Sequence, residues 1–144
     1  MAKVLHSTNC FNTLIHVAED CPAQRGEEPQ LRGGQPTVAV LQYRMIAGAP
    51  YKYTSDDVVF ATSAAGRALD ARAAKKAHSL ARETFFSRGQ ACMRASPLGK
   101  RFGWGVHADA EGRIALYAVD SKRYQALAAD PDIAQVRAMR SKRA

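Results

Sequence analysis

Apolar and polar positions along this chain follow two periods, and the change from one to the other marks out its elements. Near the start, Thr13-Leu14-Ile15-His16-Val17-Ala18 is a run of Leu and β-branched residues closed by Asp20-Cys21-Pro22. That pattern predicts a strand. Residues 23–36, AQRGEEPQLRGGQP, carry three Gly and two Pro and predict an exposed, mobile loop. Thr37 then stands where a cap belongs, Val38, Leu41 and Met45 recur at helical spacing, and Gly48 and Pro50 close the pattern. A helix is expected there.

Two readings stand for residues 54–65. Thr54 with Asp57 fits a capping box that opens a helix, whereas Val58-Val59-Phe60 favours a strand. Residues 66–88 are rich in Ala, Leu, Arg and Lys and predict one long helix. Its narrow apolar face runs through Leu69, Ala73, Leu80 and Thr84, and His78 falls off that stripe on the solvent side. From Phe102 the period becomes two. Phe102, Trp104 and Val106 alternate with Gly103, Gly105 and His107, and the turn Asp109-Ala110-Glu111-Gly112 leads into Arg113–Val119. This is a hairpin signal. Ser121 caps a short helix with Tyr124, Leu127 and Ala128 inward, closed by Pro131. The stretch 133–141 fits either helix (Ile133, Val136) or strand (Ala134, Val136, Ala138), and a third strand with a basic end is the favoured reading. The expected fold is α+β: a small antiparallel sheet around the 102–119 hairpin, with two main helices, 37–47 and 66–88, packed on one face.

Composition sets bounds on this sketch. The 144 residues are 47% apolar and 24% charged, which suits a single folded domain over residues 1–144. No apolar run approaches the roughly 18 residues of a membrane span, and Met1 to Thr8 lack the apolar core of a secretory signal. No membrane partner is therefore expected. Three cysteines, Cys10, Cys21 and Cys92, are an odd number without an export signal, which argues for reduced thiols in a cytoplasm. The spacing Cys10-x5-His16-x4-Cys21 is a poor match to metal-site spacings, so neither a metal nor a cofactor is implied.

Charge changes the picture more. Residues 1–72 hold seven basic and seven acidic side chains, while residues 73–144 hold fourteen and six, so the whole net charge of +8 lies in the second half. Such asymmetry points to an anionic partner: a phosphorylated metabolite, nucleic acid or an acidic protein surface. The alternative is a solvated face that keeps the protein soluble.

Within the basic half, residues 92–107, CMRASPLGKRFGWGVH, carry the candidate chemistry. Arg94, Lys100 and Arg101 supply cations, Ser96 a hydroxyl, and Pro97 and Gly99 a turn whose N–H groups suit an anion. The basic tail over about 137–144 adds Arg140, Lys142 and Arg143, and would complete an anion site or a nucleic-acid stripe if it folds back on this segment. Gly103 and Gly105 share a face, which calls for close approach of a ligand, another backbone or a packed helix. A second constellation is catalytic: Cys92 as nucleophile, His107 as base, and Tyr53, Asp56 or Asp57 assisting. The two aspartates equally suit a helix start. No Walker loop, GxGxxG, HExxH or GxSxG motif is present.

At VAEDCP (17–22), PYKYTSDDV (50–58), FFSRGQACMRASPLGKRFGWGVH (85–107) and AMRSKR (138–143) the chain resembles a family of small bacterial proteins classed as a domain of unknown function. Within the third stretch the family pattern is RASPLxKRxGWGxH. The resemblance implies a free-standing, single-domain bacterial protein and brings no activity, cofactor or catalytic residue with it. The family tends to have an aromatic where Cys10 stands and a hydroxyl residue where Gly99 stands, which weighs against Cys10 as a metal ligand. Three functional expectations follow: an anion-binding module using the second half, a small enzyme using Cys92 and His107, or an interaction module for an acidic protein. Oligomeric state is left open.

Overall fold

A computed structural model describes residues 5–69 and 72–141. Four short strands form one mixed sheet in the order β3-β2-β1-β4. Strand β1 (Thr13–His16) sits inside it, antiparallel to β2 (Trp104–Ala108) and parallel to β4 (Ala134–Arg137). Strand β3 (Ile114–Ala118) pairs antiparallel with β2 through a turn in which Gly112 adopts φ 81°. Asp109 holds that turn, its carboxylate accepting from the N–H groups of Glu111 and Arg113.

The sheet is thus mixed rather than purely antiparallel. The chain leaves β3, passes through helix α6 (Lys122–Ala128) and returns as β4 on the far side of β1. A crossover through a helix brings the next strand back in the same direction, which is why β4 runs parallel to β1.

The helices lie on both faces, not on one. Ile15, Val106, Ala108 and Ile114 share the face that forms the main core with Ala39 and Ile46 of α1 (Val38–Gly48), Val58 of α2 (Ser55–Ala61) and Leu98 of α5 (Pro97–Arg101). Helix α6 covers the opposite face. There Tyr124 rests against Gly105 and meets His16 edge-on at 5.7 Å.

Local chemistry accounts for every α-helix start but that of α4, where Ala74 offers no side-chain cap. Thr37, Thr54, Ser63, Ser96 and Ser121 each accept a backbone N–H at an N-cap. At Thr54 the Asp57 side chain accepts in return from the Thr54 N–H. This capping box resolves 54–65 in favour of helix. The buried face of α1 is not the expected stripe: Ala39, Val40, Gln42 and Ile46 are inside, while Val38 is 40% exposed. Gln42 can be buried because its amide accepts from the Ser96 hydroxyl at 2.6 Å and donates to Thr62 at 3.4 Å.

The expected long helix 66–88 is two helices, α3 (Ala64–Arg67) and α4 (Lys75–Phe86). A Cβ on Gly66 would lie 2.1 Å from the Phe60 carbonyl oxygen, so α3 is docked directly on the end of α2. The predicted stripe also fails, since Leu80 is 56% exposed and α4 is anchored instead by buried Phe86. The 23–36 segment has no helix or strand beyond one Arg32–Gln35 bridge. Its first part is nevertheless tied down: Glu27 N–H donates to the Phe102 carbonyl, and Trp104 Nε1 donates to the Glu27 carbonyl.

Candidate functional site

A cleft of about 540 Å³ opens between the stretch following α1, helix α2 and helix α4. Met45, Tyr53, Phe60 and Ala61 form an apolar floor, and Lys52, Asp57, His78, Ser79 and Arg82 supply polar groups. Lys52 lies 5.2 Å above the Tyr53 ring. Arg82 Nη1 donates to Asp57 Oδ1 at 2.7 Å and its guanidinium sits 5.6 Å over the Phe86 ring. Partial burial pushes the Asp57 carboxyl up, but the bonds from the Thr54 N–H and from Arg82 outweigh it and hold the group below its ordinary value. Asp57 is therefore a fixed carboxylate and a poor proton donor. Behind Arg82 lies a second cavity of about 490 Å³, bordered by Leu5, His6, Asp56 and Phe86, and Ser79 and Arg82 belong to both.

Of the expected catalytic set, the structure places Tyr53 and Asp57 in this cleft. Asp56 is a tether. Its carboxylate accepts from Ser7 Oγ at 2.8 Å, Thr8 N at 2.6 Å and Thr8 Oγ1 at 2.7 Å. Cys92 and His107 do not meet. His107 alternates with core residue Val106 and so faces the α6 side, whereas Cys92 lines a cavity with Cys10, Ile15, Arg94 and Val136 on the core side. The sheet stands between them.

His107 has other partners. Tyr51 Oη lies 2.8 Å from His107 Nδ1 and 2.8 Å from Tyr117 Oη. Burial, then the nearby Arg123 charge, push the His107 pKa below its ordinary value, so the ring is neutral at pH 7. Burial and the Tyr117 bond push the Tyr51 phenol up. Tyr51 holds φ 59°, a left-handed conformation unusual for an aromatic residue. Its N–H donates to the Ile114 carbonyl, and this fixes the chain so that the side chain wraps the β3 edge.

The expected anion residues divide. Ser96 is buried, caps α5 and donates to Gln42, so its hydroxyl is committed. The C-terminal segment does lie along the 94–99 segment: Met139 N–H donates to the Arg94 carbonyl, Arg94 Nε donates to the Arg137 carbonyl, and Gly99 faces the Ala138 methyl. Arg94, Arg101, Arg137 and Arg140 are exposed and Lys100 half-buried. Lys142 and Arg143 lie outside the described residues. The two glycines are accounted for by packing. A Cβ on Gly103, which holds φ 79°, would lie 2.2 Å from the Arg25 carbonyl oxygen, and one on Gly105 would lie 2.4 Å from the Tyr124 ring.

Sequence reasoning missed Lys52 and Arg82 as cleft residues and set His78 aside as solvated. It is exposed, and it is also on the cleft wall. Among the described residues, no group of three or more His, Cys, Asp or Glu is arranged to hold a metal ion. No described helix is long and apolar enough to cross a membrane. No curated protein and no solved structure matches the chain. The model of one family of unknown function, DUF6157, matches residues 5–144, which takes in all of the fold described above, and the chain belongs to that family.

Proposed function

We propose that the protein binds a small anionic ligand with an apolar or aromatic body, such as a phosphorylated metabolite, in the cleft between α2 and α4. The observation that carries this reading is the cleft's combination of size and lining. Its 540 Å³ falls in the range of small-molecule sites, roughly 300–1,000 Å³. Its floor is apolar, and Lys52, Ser79, His78 and Arg82 stand on its walls as donors. Arg82 is already partnered by Asp57, which leaves Lys52 as the cation most available to a ligand. The test is calorimetric titration with inorganic phosphate, phenyl phosphate and AMP. Phenyl phosphate should bind more tightly than phosphate, because it alone of these two covers the floor. Lys52→Gln should weaken it roughly tenfold, about 1.4 kcal/mol, the scale of one hydrogen bond to a charged group. No saturable binding by any of the three, or equal binding by Lys52→Gln, would reject the proposal.

A second reading, polyanion binding along Arg94, Lys100, Arg101, Arg137 and Arg140, is favoured by the Met139–Arg94 bond that lays the C-terminal segment beside the others. Titration with duplex DNA and single-stranded RNA at two salt concentrations separates it from the first. Counterion release makes such binding fall steeply with salt, and it should survive Lys52→Gln and weaken on Arg94→Ala or Arg101→Ala.

A further inference from the structure

We propose that Cys10 and Cys92 are a paired oxidation site that forms an intramolecular disulfide with hydrogen peroxide as oxidant. The two thiols come from distant parts of the chain and open onto one cavity of about 280 Å³, which Arg94 and Thr8 also line. Both are half-buried free cysteines, so each thiol is partly open to solvent as well as bordering the cavity they share. Burial and then the neighbouring Cys92 raise the Cys10 pKa, which keeps Cys10 as a protonated partner. Cys21 is elsewhere, its thiol directed at the Ala23 carbonyl at 3.8 Å, and serves as an internal control.

The chemistry closes without any further reactant. Cys92 sulfur attacks one peroxide oxygen, the O–O bond breaks, and the departing hydroxide takes a proton to become water. Cys92 is then a sulfenic acid. Cys10 sulfur attacks the Cys92 sulfur, the S–O bond breaks, and the second water leaves with the Cys10 proton. Two thiols lose two electrons and two protons, and one peroxide becomes two waters. Thiol–disulfide exchange with a reduced dithiol restores the pair. The site stands independently of the proposed ligand cleft, which contains neither cysteine.

The test uses the wild-type chain treated with one equivalent of hydrogen peroxide, then alkylated in denaturant and mapped without reduction. Free thiols should fall from three to one, with Cys21 alkylated, a peptide pair joined through Cys10 and Cys92, and the chain monomeric on a non-reducing gel. Cys10→Ser should stop the cross-link and leave a Cys92 sulfenic acid that dimedone traps. Three alkylated thiols, Cys92 driven to sulfinic acid without a cross-link, or disulfides between chains would each overturn the proposal.

Discussion

Gly105→Ala should destabilise the protein, against the usual effect of replacing a strand glycine. Glycine in a strand costs roughly 0.5–1 kcal/mol relative to alanine because of the chain freedom it surrenders, so the naive expectation is a gain. Here the added Cβ would lie 2.4 Å from Tyr124 Cε2 and 2.7 Å from Cδ2. Carbon atoms in ordinary contact sit about 3.5–4 Å apart, so ring or strand must move by about 1 Å. Neither is free to do so. Tyr124 is 7% exposed, its hydroxyl accepts from the Val17 N–H at 3.1 Å, and its ring lies edge-on to His16. Strand β2 is hydrogen-bonded on both sides. Overpacking of this kind costs roughly 1–3 kcal/mol. Less the entropic gain, the net loss should be about 1–2 kcal/mol, or a fall in Tm of about 3–8 °C for a chain of this length. Thermal and urea denaturation measure it directly. Gly48→Ala, with nothing within 4 Å of the new Cβ, is the matched control and should be neutral or slightly stabilising. In a Tyr124→Leu background the Gly105→Ala cost should shrink by at least about 0.5 kcal/mol, since the two sites are in contact. If Gly105→Ala is as stable as Gly48→Ala, the account of α6 seated on a side-chain-free strand is refuted.

Other expectations follow from particular contacts. Asp56→Ala strands the Ser7 and Thr8 donors and should cost about 2–4 kcal/mol by urea denaturation; a loss under about 0.5 kcal/mol would show that the tether is idle. The folded His107 pKa lies below the ordinary 6.5, so the unfolded chain takes up its proton first as pH falls. Its contribution is present above about pH 6.5 and is lost below it, and His107→Gln should flatten the stability profile between about pH 7 and 5. At the alkaline end the signs reverse. Cys10 is raised above 9.0, and Tyr51 and Tyr124 above 10.0, so the folded chain keeps protons that the unfolded chain releases and stability should fall from about pH 9 upward; Tyr51→Phe should lessen the fall above pH 10 and leave the share that belongs to Tyr124.

Strands and caps were legible because their signals are local. The β-branched run at 13–16, the Asp109–Gly112 turn and the Thr54–Asp57 box act on their own neighbours in sequence; the strand and the hairpin formed where expected, and the box decided for helix where the sequence left helix and strand open. The failures share a different cause. Alanine-rich composition favours continuous helix over 66–88, yet the position of α3 is decided by contact of Gly66 with a carbonyl on α2. The buried face of α1 is shifted because a glutamine, invisible to any hydrophobic pattern, finds partners on two other segments. The direction of β4 depends on where α6 crosses the sheet.

The candidate sites follow the same division. The sequence made an anion site conditional on the basic tail folding back on the 94–101 segment; one backbone bond, from the Met139 N–H to the Arg94 carbonyl, lays the start of that tail beside Arg94, while Lys142 and Arg143 lie outside the described residues. The Cys92–His107 pair was written from proximity along the chain, but residues of a strand alternate faces, and fifteen positions of separation carry no information about which face a preceding loop will reach. The structure instead sets each residue beside one from the first half of the chain: Cys10 shares a cavity with Cys92, and Tyr51 lies 2.8 Å from His107. In both cases the partner is delivered by a segment running past a sheet edge or a helix end, Tyr51 in a left-handed conformation and Cys10 just ahead of β1. The Lys52–Arg82 cleft arises likewise from the break between α3 and α4, which turns α4 back across α2. In the structure α4 brings Arg82 to 2.7 Å from Asp57 of α2, and the same helix supplies His78 and Ser79 to the cleft wall.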